Sequence, residues 1–179
     1  MTSFIIKSHV GREPAPSWKQ DLTCPFCRII DNELPSNKVY EDDHVIAFLD
    51  IMPLRRGHTL VVPKPHISRL SELPPEFAAA TGVAVSKIAR ALTEALDNTG
   101  LNVVCNQEYA QAVPHVHYHI IPAPVFGASA PTSIENTDDA VGGRAPLTRR
   151  EMHQKEFEAR EELDDDEAEE LVAKIRARL

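Results

Sequence analysis

The chain has 179 residues, with 27 acidic against 19 basic side chains, a formal charge of −8 and a sequence pI ≈ 5.5. That balance argues against a broad nucleic-acid footprint, which needs clustered Lys and Arg. No apolar run approaches the roughly 20 residues that span a bilayer, and Met-Thr-Ser-Phe-Ile-Ile-Lys at the start lacks the apolar region of about 7–15 residues of a signal peptide. The length suits one domain with tails. Three cysteines, two of them in Cys24-x-x-Cys27, fit a reducing compartment and metal binding better than a disulfide framework, so cytoplasm or nucleus is expected.

Residues 1–22 carry Gly11, Pro14 and Pro16 and read as a flexible arm, with Trp18 as its candidate anchor. A short helix is expected from Cys24 to Asn32, stopped by Pro35. Lys38–Tyr40 and His44–Leu49 are strand-like runs around the acidic turn Glu41-Asp42-Asp43, a hairpin signal. Asp50-Ile51-Met52-Pro53 reads as a loop, and Gly57–Val62 as a strand ending at Pro63. The one long helix runs from Pro75 to about Leu96, where Phe77, Thr81, Ala84, Ile88, Leu92 and Leu96 form a single apolar stripe. Pro74-Pro75 suits its start, and Asn98 and Gly100 its end. Leu101–Asn106 and His115–Ile121 complete the strands. Successive strands with one long helix over one face make an α+β domain with an antiparallel sheet over residues 23–124.

After Pro124 the composition shifts. Residues 125–150 are rich in Gly, Ala, Ser, Thr and Pro, a linker signal. Residues 149–179 are heavily charged, with Glu-Glu-Leu-Asp-Asp-Asp-Glu-Ala-Glu-Glu at 161–170, and a helix is expected near 166–178. The acidic extension reads first as solvated; a helix docked on the domain or on a dimer mate is the alternative.

The stretch that carries chemistry is 113–122, Val-Pro-His-Val-His-Tyr-His-Ile-Ile-Pro. Read as a strand, it puts His115, His117 and His119 on one face, each about 6.5–7 Å from the next, and Val116, Tyr118 and Ile120 on the other. A lone buried histidine is usually structural. Three on one face suit an anion or a metal better than packing.

With Cys-Pro-Phe-Cys-Arg-Ile-Ile, Val-Ile-Ala-Phe-Leu-Asp-Ile and Gly-His-Thr-Leu-Val-Val-Pro-Lys-Pro-His, this stretch resembles the histidine triad (HIT) proteins, nucleotide hydrolases and transferases. The resemblance runs from about Cys24 to Pro124, and its cysteine motif is similar to the Hint branch. It implies a five-stranded antiparallel sheet with one long and one short helix, completed to ten strands across a homodimer. It also implies that His117 is the nucleophile, that His119 contacts the α-phosphate, and that His58 is a fourth histidine facing it. Asp50 matches the acid that bonds ribose hydroxyls. Phe26, Ile29, Leu34, Phe48 and Ile51 match the apolar slot for the base, and Asn106 and Gln111 the polar residues that approach the scissile phosphate. The sequence departs from the family where Ala110-Gln111-Ala112-Val113 replaces the usual Gly-Gln-Ser-Val. The hydroxyl commonly offered to the leaving group is therefore missing, and the loop after Asn106 is shorter.

Phosphate chemistry suits such a cluster. A neutral imidazole nitrogen attacks phosphorus well, provided its sister nitrogen donates to a carbonyl that fixes the tautomer. Neighbouring imidazoles can stabilise the transferring charge. Cys24 and Cys27 have the spacing of half a tetrahedral Cys₂His₂ zinc site. By the resemblance, His66 and His115 supply the other half, which keeps His115 as a ligand and not a phosphate contact. Zinc there is expected to be structural. Arg55-Arg56 read either as a rim of the nucleotide mouth or as turn residues, and Lys64 as a solvated lysine. The expected activity is cleavage of a purine nucleoside 5′-monophosphate from a phosphoramidate through a nucleotidyl-histidine. The alternatives are a dinucleoside polyphosphate hydrolase and a catalytically weak nucleotide-binding interaction protein.

Overall fold

The computed structural model describes residues 23–124, 154, 155, 157, 158 and 160–179. The expected arm at 1–22 and linker at 125–150 lie outside the described residues. In chain order the elements are α1 (Pro25–Ile30), β1 (Lys38–Glu41), β2 (Val45–Leu49), β3 (Thr59–Pro63), a 3₁₀ turn (Leu70–Glu72), α2 (Pro75–Leu96), β4 (Leu101–Cys105), β5 (Tyr118–Pro122) and α3 (Asp165–Arg176). The strands form one antiparallel sheet in the order β1-β2-β3-β5-β4, as the α+β reading expects. The β1–β2 turn closes on Asp42, whose Oδ1 accepts the backbone N–H groups of His44 and Val45, both at 2.8 Å. A short acidic side chain mimics a backbone turn in this way.

Every residue of β2 and β3 is buried, because the sheet is covered on both faces. On one face Val45, Ala47, Leu49, Val61 and Ile120 pack against Ala84, Ile88, Ala91 and Leu92 of α2. Of the expected α2 stripe, Thr81, Ala84, Ile88 and Leu92 are buried, joined by Ala91, while Phe77 and Leu96 at its two ends are half-buried. The helix stops at Asp97, which is left-handed at φ 49°, a conformation short polar side chains tolerate. On the other face Ile46, Phe48, Leu60 and Val62 pack against Cys24, Phe26 and Ile29 from α1. Directly opposed residues share a face, so Phe48, Leu60 and His119 form one row across β2, β3 and β5. The sequence thus sends a histidine to the α1 face and Ile120, its neighbour, to the α2 face.

Two sequence expectations change. The predicted strand His115–Ile121 begins only at Tyr118. Its first part crosses to another segment, with the Val116 N–H donating to the Ile67 carbonyl at 2.7 Å. The C-terminal helix is docked, not solvated: Ala168, Leu171 and Ile175 are fully buried in the α2-side core. Its acidic start has a local reason. Asp164 caps α3 by accepting from the Asp166 and Glu167 N–H groups at 3.1 Å, and Asp165, Asp166 and Glu167 occupy its first turn. Negative charge there complements the helix dipole, as Lys174 and Arg176 do in the last turn. Among the described residues no helix is long and apolar enough to cross a membrane.

Candidate functional site

His58 stands immediately before β3. The chain reaches it through Gly57 at φ 87°, where an added Cβ would lie 2.7 Å from Leu96 Cδ1. Only glycine fits that approach and that backbone. The His58 ring meets His119, Nε2 to Nδ1, at 3.0 Å. The Leu54 N–H donates to His58 Nδ1 at 3.2 Å, which makes that nitrogen an acceptor. His58 Nε2–H then donates to His119 Nδ1, and the His119 proton sits on Nε2. Asp50 Oδ2 is 3.3 Å from His58 Nδ1, a close approach between a carboxyl and a neutral ring and not an ion pair. Its other oxygen accepts the Met52 N–H at 3.0 Å.

His117 lies just before β5, 2% exposed, packed edge-on against Phe26 at 5.1 Å and His119 at 4.9 Å between ring centroids. Its Nδ1–H donates to the His115 carbonyl at 2.6 Å. That bond fixes the tautomer and leaves the Nε2 lone pair unprotonated, as the chemistry of a phosphorus nucleophile demands. Burial holds the cluster neutral. It depresses His58 to about 3, with the charges of Arg160 and Arg55 adding to the effect. It depresses His119 to about 2, helped by His117 and His58. His117 is lowered by burial too, against the opposing pull of the His115 carbonyl and Asp50. Burial raises Asp50, opposed by the Met52 N–H bond and by the charge of Arg160.

Behind the cluster, Cys24, Cys27, His66 and His115 bring four ligand atoms within 4.8 Å of one another. The Cys27 Sγ–His66 Nδ1, Cys24 Sγ–His115 Nδ1 and Cys27 Sγ–His115 Nδ1 separations are 3.1, 3.6 and 3.7 Å. A tetrahedral zinc with ordinary Zn–S and Zn–N bonds sets S···N edges of about 3.6 Å, so the set fits a metal of that kind. His115 Nε2–H donates to the Pro63 carbonyl at 2.8 Å, which turns the Nδ1 lone pair toward the thiols. Burial depresses His115 to about 4, keeping it neutral as a ligand must be. The three triad histidines therefore do not share one pocket. The His115 ring belongs to the sulfur set, while His119 meets both His117 and His58.

Phe26, Ile29 and Phe48 are buried on the α1 face, with Leu34 partly buried against them. Ile51 is 62% exposed at the loop after β2, outside that cluster. Asn106 directly follows β4. Gln111 is buried, and its amide donates to the Ser68 carbonyl at 2.8 Å and to the His115 carbonyl at 3.4 Å, the same oxygen that His117 uses. Ala110 takes a left-handed φ of 58°, the backbone that the family's usual glycine would adopt freely. Arg56 pairs with Glu167 of α3 at 2.7 Å, and Arg55 donates to the Pro122 carbonyl at 3.1 Å. Lys64 pairs with Glu41 at 3.0 Å. Sequence reading missed Arg160, whose charge acts on both Asp50 and His58. No motif marks it, because it comes from a segment that lies far along the chain.

Fold and site together define a small antiparallel α+β domain built around clustered neutral histidines, with a Cys₂His₂ donor set behind them. The chain belongs to the HIT family: the HIT domain model matches residues 31–124. It is 50% identical over 101 residues to "Protein hit" of Bacillus subtilis, covering 55% of this chain and 70% of that one. Over 104 residues it is 40% identical to "Adenosine 5'-monophosphoramidase HNT1" of Saccharomyces cerevisiae, 57% and 63% of the two chains. It is 42% identical over 101 residues to "Adenylylsulfatase HINT3" of Arabidopsis thaliana, 55% and 51%. Among solved structures, a Hit-like protein from Bartonella henselae superposes with a TM-score of 0.66 at 34% identity, over 89% of this chain and 98% of that one. A zinc-bound histidine triad protein from Mycobacterium smegmatis gives 0.57 at 30% identity, over 87% and 97%.

Proposed function

We propose that the protein is a nucleotide hydrolase that cleaves a purine nucleoside 5′-monophosphate from a phosphoramidate-type leaving group. The observation that carries this reading is the 2.6 Å bond from His117 Nδ1 to the His115 carbonyl, which leaves Nε2 free to attack in a ring held neutral by burial. Nε2 attacks the α-phosphorus as the P–N bond to the amine breaks; the departing nitrogen takes its proton from solvent, and His119 Nε2–H donates a hydrogen bond to the phosphoryl oxygens. Water then attacks the nucleotidyl-His117, the N–P bond breaks, and the nucleoside monophosphate leaves. His58 orders His119 through its 3.0 Å bond. Asp50 takes the ribose hydroxyls. Phe26, Ile29, Leu34, Phe48 and Ile51 take the base, and Asn106 and Gln111 stand on the phosphate side.

Relatives named as an adenosine 5′-monophosphoramidase and an adenylylsulfatase support the reaction class. For the sulfur set the proposed occupant is zinc, supported by the S···N separations and by the zinc-bound neighbour. Zinc there would be structural, tying α1 to the segment that carries the nucleophile. We also read the chain as a homodimer, since β4 is an edge strand only partly covered along its length, with Val103 44% exposed. A ten-stranded sheet would cover it.

The test compares turnover of an adenosine phosphoramidate with that of a diadenosine polyphosphate. Faster cleavage of the phosphoramidate is expected. Preference for the polyphosphate would move the assignment to a dinucleoside polyphosphate hydrolase, and AMP binding without cleavage of either would leave a nucleotide-binding module.

A further inference from the structure

The C-terminal segment, which lies beyond the matched domain, is bonded to the lip of the histidine site. The Leu163 N–H donates to the Ile51 carbonyl at 2.9 Å, and Arg160 Nη1 donates to the Met52 carbonyl at 3.4 Å. Arg160 Nε donates to the Phe157 carbonyl at 3.0 Å, and the guanidinium lies 3.7 Å from the centre of the Phe157 ring. On the far side the segment is anchored by the buried residues of α3 and by the Arg56–Glu167 pair. The loop it grips begins at Asp50 and includes Leu54, whose N–H fixes the His58 tautomer.

This arrangement meets a need that the cluster leaves open. His58, His117 and His119 are neutral, and the carboxyl beside them has the wrong sign for a phosphoryl group. Neutral donors alone attract an anion less strongly than charge-assisted ones. Arg160 exerts the largest effect of any charge on both Asp50 and His58. Its two carbonyl bonds use Nε and one Nη1 hydrogen, and among the described residues the Nη2 donors have no partner, so they can serve a ligand. Stacking on Phe157 and bonding to two main-chain carbonyls hold the guanidinium in place before a ligand arrives, so little side-chain entropy is lost on binding.

We propose that Arg160 is a substrate-binding residue: its guanidinium takes an anionic phosphoryl oxygen of the nucleotide, so that the chain's own C-terminal segment completes the site. The inference rests on reading the histidine cluster as a nucleotide site. It assigns to α3 and the segment before it the task of carrying a positive charge back to that cluster.

Calorimetric titration of the full chain with AMP and with adenosine tests it in wild type, Arg160→Gln and Arg160→Lys, with thermal melts to verify folding. The glutamine variant is expected to lose at least tenfold in AMP affinity with adenosine affinity unchanged. The lysine variant, which keeps the charge and loses the planar fork, should fall between the two. AMP affinity unchanged in Arg160→Gln overturns the proposal. So does an equal loss for AMP and adenosine, which would make the segment a wall only, and so does a lysine variant as weak as the glutamine one. If Arg160→Gln melts before titration, Arg160→Lys carries the comparison: intermediate AMP affinity supports the role, and wild-type affinity contradicts it. A wild type that binds neither ligand sinks the nucleotide reading and this inference with it, a failure distinct from a variant that matches wild type.

Discussion

Acid should destabilise this fold well before its carboxylates titrate, because the histidines at its centre are buried without charge. In the unfolded chain a histidine titrates near 6.5. In the folded protein burial depresses His58 to about 3 and His119 to about 2. Below pH 6.5 the unfolded state binds protons that the folded state refuses, so the stabilisation is full above that pH and is lost as pH falls. Between pH 7.5 and 5.5 each such residue gives up about 1.4 kcal/mol. His58 and His119 together give up about 3 kcal/mol, and His117, also lowered, adds in the same direction. That is a large part of the ~5–15 kcal/mol that a domain of this size commands. With a urea slope of roughly 1–3 kcal/mol/M, the unfolding midpoint should fall by about 1–3 M over the interval. The matched measurement is the same pair of titrations on His119→Asn, whose own midpoint shift should be smaller by the equivalent of about 1.4 kcal/mol. Comparing shifts between two pH values removes the direct cost of the substitution. A wild-type midpoint that does not move between pH 7.5 and 5.5, or a variant with the same shift as wild type, would refute the neutral-cluster account.

Leu171→Ala in α3 should cost ~2–5 kcal/mol in chemical denaturation, since a fully buried leucine leaves a cavity in the α2-side core; a loss under about 0.5 kcal/mol would mean the helix is solvated. Ala110 holds a left-handed backbone at φ 58°. Ala110→Gly should therefore stay within about 1 kcal/mol of wild type in Tm-derived stability, while Ala110→Val should lose ~2 kcal/mol or more. A valine variant as stable as wild type would contradict that conformation. Cys27→Ser should carry clearly less zinc by elemental analysis than wild type purified alongside it, and equal zinc in both would remove the Cys24, Cys27, His66, His115 set as the metal centre.

Much of this architecture could be read from residue patterns, for physical reasons that differ by element. The α2 stripe was legible because Thr81, Ala84, Ile88 and Leu92 recur at helical spacing and are the residues that become buried. The hairpin was legible because Asp42 supplies the turn's acceptor in place of a backbone group. The start of β5 was not. Alternation at His115–His119 looks like strand throughout, yet Val116 spends its N–H on Ile67, a pairing set by a residue 49 positions earlier that no local pattern encodes. That detour sends the His115 ring to the thiols. The docking of α3 was obscured by composition: the acidic run suggests a solvated tail, although its acids cap and line the first turn while Ala168, Leu171 and Ile175 face the core. Arg160 was invisible for the same reason, since its proximity to Asp50 exists only once α3 has docked.

The central claim is that His117 Nε2 is the attacking atom. Rapid quenching of wild-type protein with an adenosine phosphoramidate, read by intact mass and peptide mapping, tests it directly. The account predicts a protein gaining one adenylyl group on His117 and no such species in His117→Ala. An adduct on any other residue, or one that persists in the alanine variant, would contradict it.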